Sequence, residues 1–203
     1  NWTNGIVGGP GKPARILSGA VGVTNTVSPS VLGALDLVEG SVSLTENGSR
    51  LDSKTPFVLG RGAGVAATLN LDRGSMTVNS GAGPAIIDLA MDGAASALSV
   101  GGTSGAAALY TSQVRAFTSG SANVQVKSNG LLEADALVAE AATNLSIGGA
   151  GGTLRNKTGS TMGYLFNVPQ VKISAGGLVF DTVAASTMAV SAALAHDGTG
   201  PSL

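Results

Sequence analysis

The chain has no cysteine, which removes disulfide cross-links and thiolate metal centres from its chemistry. Aromatic residues are 3% of the sequence, with Trp2 the one tryptophan, too few to anchor a bulky core or to stack nucleic-acid bases. Charged residues reach 11%, against roughly 25% in an ordinary soluble domain. The 11 basic residues face 12 acidic ones, so no positive surplus exists to neutralise phosphates, and nucleic acid is not an expected partner. Long apolar runs are missing too: the most hydrophobic stretch, 85–98, is interrupted by Asp88 and Asp92, so no membrane-spanning helix is expected. The sequence opens at Asn1 without an initiator Met or a basic-then-apolar leader, which predicts a processed or excised piece of a larger secreted chain. Residues 1–203 are read as one domain of it.

What the chain has in quantity is small and aliphatic side chains. Glycine fills 31 positions and hydrophobic residues 43%. Mean hydropathy is +0.33 and net charge −1, the reverse of the composition that keeps a chain disordered. Apolar residues recur at spacing two in short runs bounded by Gly, Asn or Ser, the pattern of strands.

One such pattern repeats. Leu35-Asp36-Leu37-Val38-Glu39-Gly40-Ser41-Val42-Ser43-Leu44 places two apolar residues at spacing two, a Gly-containing turn, then two more. Leu69 to Val78 repeats it with Gly74 in the same slot, and Val171 to Phe180 with Gly176. A weaker copy runs from Val124 to Leu131, where Asn129 takes the glycine slot; Asn is the other residue that tolerates positive φ. Copies begin 34, 55 and 47 residues apart, so the coils between them are expected to be degenerate or to carry protruding loops.

Short strands joined at glycine corners, with alternate residues inward, describe the sides of a coil. The expected fold is therefore all-β, a right-handed parallel β-solenoid (β-helix). Coils of about 20 residues rising about 4.8 Å would give about ten turns and a rod of about 50 Å. A β-sandwich or jelly roll is the runner-up, and the scarcity of aromatic anchors weighs against it. Expected inward residues are Leu35, Leu37, Val42, Leu69, Leu71, Met76, Val78, Val171, Ile173, Leu178 and Phe180, with Gly40, Gly74 and Gly176 at corners. Residues 133–142 carry high helix propensity and are read either as a helical turn on a loop or as a plain strand over 136–138.

Asn1-Trp2-Thr3-Asn4-Gly5-Ile6-Val7, followed by a Gly/Pro turn and Ala14-Arg15-Ile16, resembles the opening of large secreted bacterial proteins with autotransporter-associated β-strand repeats. Leu59-Gly60-Arg61-Gly62-Ala63-Gly64 leading into Thr68-Leu69-Asn70-Leu71 and Gly74-Ser75-Met76-Thr77-Val78 is similar to that family's internal repeat. Gly176 to Thr182 and Ala193 to Gly198 resemble the stretch before its most regular repeats. The resemblance covers about a third of the chain. It implies a parallel β-helix at the bacterial cell surface or outside the cell, with structural or adhesive duties and no characteristic catalytic residues.

Catalytic candidates are few. His196, the only histidine, precedes Asp197, yet no Gly-x-Ser-x-Gly elbow supplies a nucleophile; a surface turn is the expected role. One imidazole with scattered carboxylates does not make a zinc site. A polysaccharide-cleaving enzyme would need paired acids, for which Asp88 with Asp92, Glu133 with Asp135, and Asp181 are the candidates. At spacing two in a strand, Glu133 and Asp135 would face the same way. The glycines at 60–64 and 148–152 lack the residues of a phosphate loop or a calcium-binding repeat and are read as corners. Asn1, Asn47, Asn144 and Asn156 each begin an Asn-x-Ser/Thr triplet, a glycan acceptor sequence in a suitable host.

The sequence therefore predicts no catalytic, cofactor or metal site and no cofactor. It predicts a non-enzymatic extracellular structural or adhesive rod whose main partner is itself, joined end to end into filaments or a surface assembly. The basis is that neither end carries an amphipathic capping helix and few charges repel neighbours. The alternatives are a polysaccharide-cleaving β-helix, or a carbohydrate-binding β-sandwich that takes surface glycans.

Overall fold

The computed structural model describes the backbone of Ala14–Ile16, Ala20–Val23, Ser30–Leu37 and Gly40–Leu44, and of residues 50–198 apart from 80–83, 104, 142–143 and 158–163. Side chains are described from Phe57 on, Asn79 excepted. Among the described residues there is no helix. The chain winds as β1 (Ala14–Ile16), β2 (Ala20–Val23), β3 (Ser30–Leu37), β4 (Gly40–Leu44) and β5 (Arg50–Arg61). Three full turns of three strands follow: β6 (Ala66–Leu71), β7 (Gly74–Asn79) and β8 (Ile86–Met91); β9 (Ala95–Val100), β10 (Ala107–Tyr110) and β11 (Gln113–Ala116); β12 (Ser121–Lys127), β13 (Gly130–Glu133) and β14 (Ala136–Ala139). A fourth is β15 (Leu145–Ala150), β16 (Gly152–Asn156) and β17 (Leu165–Phe166), and then come β18 (Gln170–Ile173), β19 (Leu178–Thr182) and β20 (Ala193–His196).

Strands stack on their counterparts of neighbouring turns in three faces. The first face runs β2-β4-β6-β9-β12-β15-β18-β20. The second and third faces fork at β5: Arg50–Lys54 pair with Ser75–Asn79 of β7, whereas Phe57–Arg61 pair with β8. Pairing lapses at Thr55 and Pro56, where proline has no N–H to give to a ladder. The second face continues through β10, β13, β16 and β19, the third through β11, β14 and β17. Every pairing between these strands is parallel; the lone antiparallel bridge among the described residues is Lys127 to Gly151. The parallel β-solenoid is therefore the fold. The sandwich or jelly roll is overturned, because those are built from antiparallel sheets.

Most turns are longer than the sequence pattern suggested, and their length varies. On the first face the register steps from Ala20 to Ser41 near the start of the coil, but from Ala66 to Ala95 further along it. Longer connections, such as the one between Val100 of β9 and Ala107 of β10, use the extra length, so fewer turns form than the ten first expected. The register also resolves the uneven repeat. Leu69, Leu98 and Val124 stand in one column, as do Val124, Ile147 and Val171, so the second and third intervals between copies are two turns each. The copy starting at Leu35 sits at a different corner, between the third and first faces, since Leu35 lies in β3 and Gly40 opens β4. Its interval is a turn and a third.

Spacing two builds the core. Inward columns are Leu69-Leu98-Val124-Ile147-Val171 on the first face, Met76-Leu109-Leu132-Leu154-Phe180 on the second, and Phe57-Ile87-Val114-Leu137-Leu165 on the third. All but Phe180 are at most 1% exposed, and each such burial stabilises by about 1.5–3 kcal/mol. Leu71, Val78 and Ile173 are also buried, as expected; Leu178 and Phe180 point inward but are only partly covered. Leu35, Leu37 and Val42 lie in β3 and β4, and their side chains fall outside the described residues. Gly149 occupies an inward position between Val126 and Ile173. Its missing Cβ would stand 2.6 Å from the Leu178 Cβ, so Leu178 fills the gap.

The corners between the first and second faces use positive φ: Gly74 at +93°, Gly176 at +100° and Asn129 at +61°. These are the residues the repeat placed there. Of the helix-prone segment 133–142, residues 133–141 are described and form no helix; they cross a corner and supply β14, the strand reading.

Candidate functional site: the C-terminal end of the coil

Three large apolar side chains are exposed among the described residues, and all three lie near the C-terminal end, one on each face. Phe166 of β17 is 56% exposed, Val179 of β19 55% and Leu194 of β20 49%. Phe166 and Val179 stand in outward columns, stacked on Val138 and Thr153. Leu194 is different: it holds the inward register above Val171. On the third face the stretch after β19 lies over β17, with the Tyr164 N–H donating to the Ala189 carbonyl at 3.0 Å and the Ser191 hydroxyl to the Leu165 carbonyl at 3.2 Å. Met188 and Val190 pack there, half-buried like Leu178 and Phe180. The last rung thus presents Leu178, Phe180, Met188, Val190 and Leu194 with no further rung of described residues above them. Among described strands, β19 and β20 are each paired on one side only.

Charged side chains sit on the outer faces in pairs made by the winding. On the second face Glu133, Arg155 and Asp181 occupy one outward column. Arg155 lies 3.8 Å from Glu133 and its Nε donates to Asp181 at 2.7 Å. On the third face the Arg115 Nε donates to Asp88 at 2.9 Å, and its guanidinium lies 4.8 Å over the Phe117 ring. The hydrogen bond to Asp88 raises the Arg115 pKa against the opposing effect of burial. Asp92 stands at a corner with φ +55°, 3.7 Å from Arg61, so Asp88 and Asp92 are engaged by different arginines. Glu133 and Asp135 do not share a strand either: β13 ends at Glu133, the chain turns at the fully buried Ala134, and the Asp135 N–H donates to the Ser112 carbonyl. Both flank the buried Ala134 and are themselves partly exposed, but they do so across a corner and not along one strand.

Beneath this corner lies Tyr164, fully buried, its hydroxyl donating to the Arg155 carbonyl at 3.3 Å. Burial pushes its pKa well up, and the charges of Glu133 and Asp135 push it further. His196 ends β20, and its Nδ1 accepts the Gly198 N–H at 3.0 Å, a turn contact. Gly62 and Gly64 follow β5 with positive φ, and Gly151 separates β15 from β16, also with positive φ; Gly148 and Gly149 lie within β15, which corrects the corner reading for that pair. No group of three or more His, Cys, Asp or Glu side chains able to hold a metal occurs among the described residues. No helix of the described residues is long and apolar enough to cross a membrane.

Two of the four glycan acceptor sequences are closed in the folded chain. Asn144 is buried and its Nδ2 donates to the Phe117 carbonyl; Asn156 is 1% exposed. Asn1 and Asn47 fall outside the described residues. Pattern reading missed the Glu133-Arg155-Asp181 column, whose signal is the register and not any local motif. No protein-family model matches the chain, and no curated protein or solved structure matches it.

Proposed function

We propose that this chain is a non-catalytic structural and adhesive rod of the bacterial surface or secreted matrix, which joins copies of itself end to end. The open C-terminal rung carries the reading. Among the described residues no layer covers the inward residues there, and β19 and β20 are each paired on one side only, an edge of the kind that recruits further strands. Covering that apolar surface stabilises association by about 25 cal/mol per Å². A head-to-tail interface that does not close into a ring propagates as a filament. The likeness of the glycine-bounded strand repeats to autotransporter-associated repeats supports the extracellular setting. Acid–base catalysis finds little support, because Glu133 and Asp181 share Arg155, and Asp88 is held by Arg115.

Electron microscopy and sedimentation velocity of the purified chain over a concentration series test the reading. Filaments that lengthen with concentration are expected. Monodisperse particles at every concentration would refute end-to-end joining, and turnover of acidic glycans would replace it with a polysaccharide-cleaving function.

A further inference from the structure

The first face is a sheet of eight strands that begins at β2 and ends at β20, and among the described strands each of these two is paired on one side only. Between them the register does not slip. One column runs Val21-Val42-Leu69-Leu98-Val124-Ile147-Val171-Leu194, and the column beside it runs Gly22-Ser43-Asn70-Ser99-Gln125-Gly148-Lys172-Ala195. The other faces do not carry through in this way: β3 shifts register against β5 at two places, and β5 forks between two faces.

The two end strands match. Both β2 (Ala20–Val23) and β20 (Ala193–His196) are four residues long, and neither contains a proline or a Lys, Arg, Asp or Glu, the residues that blunt a sheet edge against further pairing. Because every strand of this sheet runs parallel, the two edges are of opposite kind: at each inner step the upper edge of one strand receives the lower edge of the next, and β20 presents an upper edge where β2 presents a lower one. The Ala193 N–H donates to the Pro169 carbonyl at 3.2 Å and the Asp197 N–H to the Ile173 carbonyl at 3.1 Å. Those residues thus bond back onto β18, and alternation along a parallel strand turns the backbone groups of Leu194 and His196 to the outer edge. Leu194 is 49% exposed although it holds the inward register. Each step of its column places one aliphatic residue on another, and among the described residues the step above Leu194 is missing.

We infer that β20 docks on β2 of a second copy of this chain, parallel and in register, with Leu194 opposite Val21 and His196 opposite Val23. The first face then continues across the joint as one sheet, by strand addition at an exposed edge. A slip of one residue would set Leu194 against Ala20 or Gly22, positions of the opposite facing, and break the aliphatic column. A slip of two would leave two of the four residues of each strand unpaired. The inference rests on the end-to-end reading above and adds to it the surface that receives the open end, the direction of joining and the register.

The chain has no cysteine, so introduced thiols report the joint through disulfide formation. In the inferred register Ala193 lies opposite Ala20 of the next copy, with Cα atoms about 4.8 Å apart, within the span of a disulfide. Ala195 lies two places off, roughly 8 Å from that Ala20 and beyond the span. Single variants Ala20→Cys, Ala193→Cys and Ala195→Cys, each with the circular dichroism of the parent, are mixed in pairs where sedimentation velocity shows association and oxidised with glutathione disulfide. Ala20→Cys with Ala193→Cys should link about tenfold faster than Ala20→Cys with Ala195→Cys, and Ala193→Cys should not link to itself. Gly22→Cys with Ala195→Cys, the second in-register pair, should behave as the first. Slow linkage of both in-register pairs in chains that do associate, or equal linkage of the off-register pair, would overturn the inference and leave end-to-end joining standing. Linkage of Ala193→Cys to itself would overturn it in favour of tip-to-tip contact. Absence of association at every concentration would remove the reading and the inference together.

Discussion

Leu194 stands one rung above Val171 in the same inward column, yet Val171 is fully buried and Leu194 is 49% exposed. The two side chains have the same orientation and differ only in what lies above them. Position along the axis, not the local pattern, decides which of them is core.

Leu194→Lys should therefore leave the unfolding free energy within about 0.5 kcal/mol of the parent while abolishing concentration-dependent growth in sedimentation velocity. Val171→Lys places an unpaired charge inside the coil, and loss of cooperative unfolding is expected. Equal growth of parent and Leu194→Lys would detach association from this end.

A second column makes the same contrast by deletion. Leu109→Ala empties a site covered from above and below, at an expected cost of about 2–5 kcal/mol in urea denaturation. Phe180→Ala, at the partly covered end of that column, should cost less in dilute monomer and more once the chains have associated.

Asp88 and Arg115 should respond unequally to loss of the partner. The Asp88 side chain is 8% exposed and that of Arg115 33%, so Arg115→Met strands a buried carboxylate, whereas Asp88→Asn leaves a guanidinium that water still reaches. Arg115→Met is expected to cost about 1–3 kcal/mol and Asp88→Asn less, both read as shifts in the urea midpoint at constant slope.

The raised pKa of Tyr164 sets an alkaline limit. Below the unfolded phenol value, about 10, both states keep the proton and the group adds no pH dependence. Above it the unfolded chain loses the proton while the folded one holds it, so stability falls as pH rises, by up to about 1.4 kcal/mol per pH unit. Urea titrations between pH 9 and 11.5 should show this decline in the parent and not in Tyr164→Phe. That variant starts about 0.5–1.5 kcal/mol lower through loss of the bond to the Arg155 carbonyl.

At the corner before β7, Gly74→Val imposes a branched side chain on φ +93° and should cost about 1–3 kcal/mol, measured as a lower melting temperature. Corners of this kind were legible in the sequence because positive φ favours Gly and Asn, and Gly74, Asn129 and Gly176 all occupy it. Corners between the second and third faces left no such mark: Thr111 and Ala134 stand there, and nothing in those residue types announces a bend. Inward direction was legible for Leu178 and Phe180 from spacing two, but their partial exposure was not, since coverage depends on a neighbouring rung. The column of Glu133, Arg155 and Asp181 was hidden for a related reason. Its members lie a whole turn apart in the chain, and the turn length changes from one winding to the next, so no fixed period aligns them.

The recurrence of the strand-and-bend unit two windings apart at Leu69, Val124 and Val171 makes length a separable property of the cylinder. Excising the segment from Val124 through Gln170 would join Asn123 to Val171, which occupies the same place on the circumference as Val124. The outcome is a shorter cylinder with the same cross-section and unaltered tips, so whole pairs of windings can be lost or duplicated without redesigning the packing on either side of the splice.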